Sequence, residues 1–198
     1  MFKFIFCIII AYFLGNISGG MIFGKLLFNK DIRDYGSKNA GTTNALRVFG
    51  IKAGALTFIV DLLKSILACF IGMKLLGLNG VLLAGIFVVI GHNWPIVLNF
   101  KGGKGIASSF GFIIFLDYKI AIVAILIFIT IVVLTKYISL GSMLATTSVL
   151  PISYIFFKYR NIYVLLTLLF LASLSIYRHK SNIVRLINGN ENKINFKK

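Results

Sequence analysis

Long apolar runs separated by short polar segments dominate the pattern of this chain. A helix needs roughly 20 apolar residues to cross the hydrocarbon of a bilayer, and on that measure the pattern predicts about seven spans. They are residues 4–27, 53–76, 81–98, 106–116, 120–134, 138–157 and 162–177. The runs are continuous rather than alternating, which favours helices over the strands of a barrel. The predicted fold class is an all-α integral membrane protein, a polytopic helix bundle.

The fourth run is short, and it fits only if Ser108, Ser109 and the glycine turn before it are buried among neighbouring helices. An alternative fuses residues 106–116 with the next run across Asp117, which gives six spans. Lysine and arginine placement favours seven, because six would put Lys136 and the basic C-terminal tail outside the cell. The positive-inside rule then predicts an N-terminus outside and a C-terminus in the cytoplasm.

Composition supports a membrane protein and adds a preference for anionic partners. Of the 198 residues, 59% are hydrophobic, and 21 Lys and Arg against five Asp and Glu give a net charge of +16. Such a charge favours lipid headgroups, phosphates or nucleic acid, although topology alone also accounts for much of it. The two cysteines lie in apolar runs without a metal-binding spacing, so neither a metal site nor a disulfide is expected.

The chain is expected to be a single integral domain, residues 1–198, with polar inserts near residues 29–47, 99–105 and 178–198. Seven spans put all three inserts on the cytoplasmic face. The first insert reads "DIRDYGSKNAGTTNALRVFG". Glycine-turn N–H groups, hydroxyls and a guanidinium suit phosphate oxygens, as does the N-terminus of a helix predicted to begin near Ala45. The candidate phosphate ligands here are Gly36, Ser37, Asn39, Gly41, Thr42, Thr43, Asn44 and Arg47.

The first insert is not a nucleotide-binding P-loop. Gly36 and Gly41 have the required separation, but Thr42 stands where that loop needs a lysine. No strand is predicted before the insert either, and the P-loop requires one.

The second insert, "FKGGKG", follows an apolar run that ends in "GHNWPIVL". Gly102 and Gly103 would let the backbone approach a ligand closely, and Lys104 between glycines is read as a cation facing the ligand. Lys101 is read as an anchor at the membrane surface. His92 is interpreted mainly as a packing or hydrogen-bonded residue.

The third insert, "YRHKSNIVRLINGNENK", follows the last run. If a helix continues through it, His179, Asn182 and Arg185 or Leu186 share one face. A basic amphipathic tail lying on anionic lipid is the alternative.

Within the second run, Asp61 and Lys64 are three residues apart. Isolated charges are costly there, so this pair is expected to face the bundle interior and neutralise itself, with a substrate role left open.

Three motifs carry a family resemblance, and they stand in the order "GSKNAGTTNALRVFG", "GHNWPIVLNFKGGKGIAS" and "YRHKSNIVRLINGNENK". Together they resemble the bacterial acyl-phosphate:glycerol-3-phosphate acyltransferase family, the PlsY type, over nearly the whole chain. The first motif of that family usually reads G-S-G-N-x-G-A-T-N. This chain has Lys38 at the second glycine and Thr42 at the alanine.

The resemblance implies transfer of a fatty acyl group from acyl phosphate to the 1-hydroxyl of sn-glycerol 3-phosphate. The products are 1-acyl-glycerol 3-phosphate (lysophosphatidic acid) and phosphate, the first step of phospholipid synthesis. The implied catalytic residues are Ser37, Lys104, His179 and Asn182. The implied phosphate-binding residues are Gly36, Ser37, Asn39, Gly41, Thr43, Asn44, Arg47, Gly102, Gly103 and Lys104.

The expected roles differ between these groups. Ser37 with the glycine loop would hold the phosphate of the acyl donor, and Lys104 would neutralise charge as that phosphate leaves. Arg47, with Lys104, would hold glycerol 3-phosphate, and Asn182 would orient a hydroxyl. His179 is either a general base or a positioning group, and positioning is favoured because the leaving phosphate can accept the proton.

Other mechanisms and functions fit less well. An acyl-enzyme on Ser37 lacks an evident base nearby. The H-x4-D pair of acyl-CoA-dependent enzymes is missing, because the fifth residue after His92 is Val97 and the fifth after His179 is Val184. A small transporter for an organic phosphate or other anion is the main alternative, although mid-membrane polar residues are few and no internal repeat is visible. A structural protein that binds anionic lipid is a third.

The expected partners are the two substrates and membrane lipid, with no nucleic acid, no cofactor and no metal. Functional coupling to a soluble enzyme that forms acyl phosphate is left open. The expected location is the bacterial cell (inner) membrane, as a multi-pass protein with its active site on the cytoplasmic face.

Overall fold

The structure, a computed structural model, describes residues 1–156 and 160–194. All regular secondary structure in those two ranges is helical, which confirms the all-α prediction. The end of the sixth predicted span, residue 157, and the end of the third insert, residues 195–198, lie outside the described residues. The helices are α1 (Phe2–Asn16), α2 (Gly19–Phe28), α3 (Thr42–Phe49), α4 (Ile51–Asn93), α5 (Ile106–Leu116), α6 (Tyr118–Thr135), α7 (Ile138–Ile155), α8 (Ile162–Arg178) and α9 (Lys180–Ile187).

The chain divides into two compact units, Met1–Leu116 and Asp117–Lys198. The first unit contains α1 to α5, and the second contains α6 to α9. The first and second inserts therefore belong to one unit, and the third belongs to the other.

The first predicted helix is broken into α1 and α2. Ile17 takes an extended conformation, and Ser18 caps α2 by accepting a hydrogen bond from the backbone nitrogen of Met21 at 3.4 Å. Irregular backbone at membrane depth is tolerated where protein groups satisfy it. Here the ammonium group of Lys64 does so, because it donates to the carbonyl oxygens of Gly15 and Ile17.

Helix α4 doubles back at Gly77, whose φ of 60° and ψ of −142° are not helical. Its two arms then pack so closely that a Cβ atom on Gly72 or on Gly80 would collide with the carbonyl group of the other. Two helices were predicted on either side of this point, and the hairpin confirms that division. The second arm ends at Asn93 rather than at residue 98, because Pro95 lacks an N–H and disfavours a helical residue before it.

The short helix α5 has the predicted bounds and lies inside the first unit. Ser108 and Ser109 are buried, and the Ser108 hydroxyl donates to the backbone oxygen of Asp61 at 3.3 Å. Asp117 takes an extended conformation and caps α6, so α5 and α6 do not fuse.

By length and composition, four helical segments of the described chain are able to cross a membrane, or up to five if α8 and α9 together make one span. This supports a multi-pass membrane protein. The count of seven spans and the orientation of the termini stay predictions.

In the second unit, α7 packs against both α6 and α8. Helices α8 and α9 meet at a bend of 58°. His179 stands at that bend, between the last residue of α8 and the first residue of α9.

Candidate active site

The first loop, defined here as residues 36–41, is held by the buried side chain of Asn44, which is 1% exposed. The Asn44 side-chain nitrogen donates to three backbone oxygens, those of Ile32 at 3.2 Å, Tyr35 at 3.0 Å and Asn39 at 3.0 Å. Its side-chain oxygen accepts from the backbone nitrogen of Ser37 at 2.9 Å. These bonds use both the nitrogen donor and the oxygen acceptor of the side-chain amide, so Asn44 holds the loop backbone in its conformation.

Two residues of the first loop have a left-handed backbone. Gly36 has a φ of 59°, and a Cβ atom there would collide with the Asn44 side-chain oxygen, so only glycine fits. Lys38 has a φ of 57°, at the position where the resembled motif has its second glycine. Lys38 therefore replaces the motif glycine at a position whose backbone conformation favours glycine.

Helix α3 begins directly after the first loop. It was predicted to begin near Ala45 but starts at Thr42, with Gly41 as its N-cap. Ser37 and Arg47 are both exposed. Arg47 lies one turn beyond Asn44 on α3, on the helix face that meets the loop.

The second loop, defined as residues 102–105, packs against the end of α4. The Gly103 nitrogen donates to the His92 carbonyl oxygen at 3.0 Å, and a Cβ atom on Gly103 would collide with the His92 ring. A Cβ atom on Gly102 would lie 2.6 Å from Pro95 Cδ. The chain's own contacts therefore require these two glycines, and Lys104 after them is half-buried.

Arg33 connects the first insert with Leu98, the residue directly before the second insert. Its guanidinium pairs with Asp31 at 2.7 Å and also donates to the Leu98 carbonyl oxygen at 3.0 Å. The hydrogen bonds from Arg33 hold the pKa of Asp31 below its usual range. An apolar cluster lies beneath, formed by Met21, Ile32, Ala40 and Ala45 with Phe49 and Leu98 packed against it. The first insert thus contacts the segment that leads into the second insert, and sequence reasoning overlooked Arg33.

Asp61 and Lys64 form a buried ion pair with a separation of 2.9 Å, as predicted. The sequence did not reveal that His92 joins them: its Nδ1 atom lies 2.8 Å from Lys64 Nζ and 3.4 Å from Asp61 Oδ1. All three side chains are at most 5% exposed. The hairpin at Gly77 brings His92 to the pair from the other arm of α4.

In the second unit, the Glu191 carboxylate is the centre of the third insert. It accepts hydrogen bonds from Ser139 Oγ at 2.9 Å, Asn182 Nδ2 at 2.7 Å and Arg185 Nε at 2.8 Å. Burial raises the pKa of Glu191, but the three hydrogen bonds outweigh it and leave the pKa below its usual range. Glu191 and Ser139 were not among the predicted site residues, because nothing in the sequence pattern relates positions so far apart.

His179 is buried, and its Nδ1 atom lies 2.8 Å from the Ser175 carbonyl oxygen. A carbonyl can only accept, so Nδ1 carries the proton, and in the neutral ring the lone pair lies on Nε2. The backbone oxygen of His179 accepts a hydrogen bond from the backbone nitrogen of Asn182 at 2.8 Å, in the first turn of α9. His179 and Asn182 are therefore neighbours, as the predicted spacing required.

Taken together, the elements define a polytopic helical membrane protein in which two glycine-rich loops, with serine, arginine and lysine side chains, form a candidate phosphate site. Among the described residues, no group of three or more His, Cys, Asp and Glu is arranged to hold a metal ion.

Comparison with known proteins identifies the family. A family model described as glycerol-3-phosphate acyltransferase matches residues 5–189. A glycerol-3-phosphate acyltransferase of Finegoldia magna is 45% identical over 94% of this chain and 93% of the relative. The corresponding protein of Clostridioides difficile is 45% identical over 100% of this chain and 98% of its own length. The chain therefore belongs to the glycerol-3-phosphate acyltransferase family.

Solved structures agree with that assignment. A crystal structure of PlsY, an integral membrane glycerol 3-phosphate acyltransferase in its glycerol 3-phosphate form, superposes with a TM-score of 0.90 at 34% identity. That match covers 97% of this chain and 96% of the other. The lysophosphatidic acid form gives a TM-score of 0.88 at the same identity, over 97% and 95% of the two chains. The predictions of the family and of an acyltransferase are confirmed, and the transporter alternative is not favoured.

Proposed function

We propose that this chain transfers a fatty acyl group from acyl phosphate to the 1-hydroxyl of sn-glycerol 3-phosphate, giving lysophosphatidic acid and phosphate. The observation that carries the proposal is the pair of glycine-rich loops that the first unit holds in place. Asn44 fixes the first loop, the end of α4 fixes the second, and Arg33 binds Leu98, directly before the second insert. Two relatives that are 45% identical over 94% and 100% of this chain are named glycerol-3-phosphate acyltransferases.

The proposed chemistry is direct transfer. The hydroxyl oxygen of glycerol 3-phosphate attacks the acyl carbonyl carbon, the bond between that carbon and the phosphate oxygen breaks, and the departing phosphate takes the proton. A mixed anhydride has a good leaving group, so no covalent intermediate on Ser37 is needed. Ser37 and the backbone of the first loop bind the phosphate of the donor, and Lys104 neutralises the charge that develops on it.

Two side chains of the first unit are proposed to hold the phosphate of the acceptor. Arg47, together with Lys104, binds the phosphate of glycerol 3-phosphate, because a guanidinium offers paired donors to its oxygens. In the second unit, Asn182 and His179 keep the roles that the family resemblance implies, orienting a hydroxyl and positioning substrate. The Nδ1–H that His179 donates to Ser175 supports its role, because it leaves the lone pair on the other ring nitrogen.

The proposal includes a setting in the cell. Charge placement supports seven spans with the N-terminus outside, the C-terminus in the cytoplasm, and the site on the cytoplasmic face of the bacterial inner membrane. A soluble enzyme that forms acyl phosphate would supply the donor from that side. The family match runs through both units, which supports a single functional domain.

Purified protein in detergent or lipid mesophase, given palmitoyl phosphate and glycerol 3-phosphate, tests the proposal. Phosphate release should match lysophosphatidate formation, and Lys104→Ala should lower the rate by about 100-fold or more, as removal of a transition-state donor does. Lys101→Ala is the matched control, because this exposed neighbour is expected to leave the rate near wild type. If palmitoyl-CoA supported the same rate as palmitoyl phosphate, the preference for an acyl-phosphate donor would be refuted. If the folded protein formed no lysophosphatidate, the acyltransferase function would be refuted.

A further inference from the structure

One buried polar group of the first unit has no part in the chemistry proposed above. It consists of Asp61, Lys64 and His92, named here the buried triad. Ionisable side chains inside a membrane protein are costly, and a buried ion pair is weak evidence for stability alone. The contacts of the buried triad therefore decide what it does.

Lys64 connects the buried triad with the first loop. Its ammonium group donates to Gly15 and Ile17 at the break between α1 and α2. Ser18, the next residue, donates from its hydroxyl to the Ala40 carbonyl oxygen at 3.4 Å. Gly20 lies against the same carbonyl, and a Cβ atom there would collide with it. The position of the broken helix, which Lys64 fixes, therefore sets the position of the first loop.

His92 connects the buried triad with the second loop. Its Nδ1 atom faces Lys64 at 2.8 Å, and its carbonyl oxygen accepts from the Gly103 nitrogen at 3.0 Å. The three nearest atoms to a Cβ built on Gly103 all belong to the His92 ring. The orientation of this ring, which Lys64 and Asp61 hold, therefore determines where Gly103 and the following Lys104 lie.

We propose that Asp61, Lys64 and His92 are positioning residues that fix the two phosphate-binding loops relative to each other. This inference rests on the proposed function, because it takes both loops as substrate-binding elements. Lys64 binds the break between α1 and α2, which contacts the first loop. It also binds His92, which contacts the second loop. Its charge, neutralised by Asp61, permits both contacts at once inside the unit.

Steady-state kinetics of folded variants provide the first test. Lys64→Met and His92→Ala should each lower kcat/KM at least tenfold, with a raised KM for glycerol 3-phosphate. His92→Ala leaves the ion pair of Asp61 and Lys64 in place, so it decides the matter if Lys64→Met does not fold. Cys69→Ala is the matched control, because it truncates a fully buried side chain of the same hairpin, close to Val81 and nearer the Gly77 turn.

Thermal unfolding of a double variant provides a second test that needs no activity. Gly103→Ala should lower the unfolding temperature, because its Cβ atom collides with the His92 ring. In the His92→Ala background the same change should cost much less, since the obstructing ring is gone. Additive effects of the two substitutions would refute the contact on which the inference depends.

The outcomes separate this inference from the proposed function. Wild-type kcat and KM in Lys64→Met and His92→Ala, in an active enzyme, would overturn the positioning role and leave the function standing. Reduced unfolding temperatures with unchanged kinetics would overturn it as well, because they would show a purely structural role. An inactive wild-type protein would refute the function, and the unfolding of the double variant would still decide the contact between His92 and Gly103.

Discussion

The side-chain oxygen of Asn44 accepts a hydrogen bond from the backbone nitrogen of Ser37 at 2.9 Å. This bond joins the first turn of α3 to the loop before it. The Asn44 nitrogen also binds the backbone oxygens of Ile32, Tyr35 and Asn39, so one amide ties the first loop to the segment before it. The Ser37 side chain is thereby presented at the surface, and the buried amide supports it.

Asn44→Ala should therefore damage both stability and activity. It leaves several backbone groups without their partner, and each unsatisfied buried group costs about 1–3 kcal/mol. Thermal unfolding in detergent measures the loss, and phosphate release measures activity. Asn44→Asp is the informative partner variant, because it keeps the acceptor for Ser37 but removes the donors. Normal activity in Asn44→Ala would contradict this account of the loop.

Lys38→Gly should stabilise the protein. A lysine in the left-handed region carries a cost of about 1–2 kcal/mol, and the greater freedom of glycine in the unfolded chain cancels part of it. A net gain of up to about 1 kcal/mol is expected, together with unchanged or higher activity. Differential unfolding of the two proteins in one detergent tests this. Lys101→Gly, outside both loops, controls for loss of a surface charge.

Thr42→Ala should also be neutral or stabilising. The Thr42 hydroxyl is buried and has no hydrogen-bond partner within residues 1–156 and 160–194. Burying such a group costs at most about 1–3 kcal/mol, and alanine avoids this cost. Unfolding temperatures compared with those of Thr43→Ala, the neighbouring threonine, measure the effect. A clear loss of stability in Thr42→Ala alone would show that the hydroxyl has a partner.

Glu191→Gln should destabilise the protein near neutral pH and lower activity through the loss of order at Asn182. In the unfolded chain the pKa of Glu191 is about 4.3, and in the folded protein it is lower. The ionised carboxylate therefore stabilises the fold fully at pH values above the unfolded pKa. The contribution disappears as pH falls through the folded pKa. The difference in unfolding temperature between wild type and variant should therefore shrink below about pH 4. A difference independent of pH would exclude the charge as its cause.

The sequence by itself determined the membrane class, the helical fold, the hairpin division near Gly77 and the bounds of α5. These features follow from local composition: runs of apolar residues set helix lengths, and glycine or proline ends a helix. The ion pair of Asp61 and Lys64 was predictable for the same reason, because three residues separate them along one helix.

Only the tertiary structure decided which distant groups meet. His92 joins Asp61 and Lys64 because a hairpin brings its arm alongside theirs, and Glu191 reaches Ser139 and Asn182 across separate elements. The glycines of the second loop pack against His92 and Pro95, which the sequence did not reveal, and their contact with a ligand stays a prediction. Asn44 likewise binds the loop backbone. Such contacts depend on packing between segments far apart in the chain, and no local periodicity encodes them.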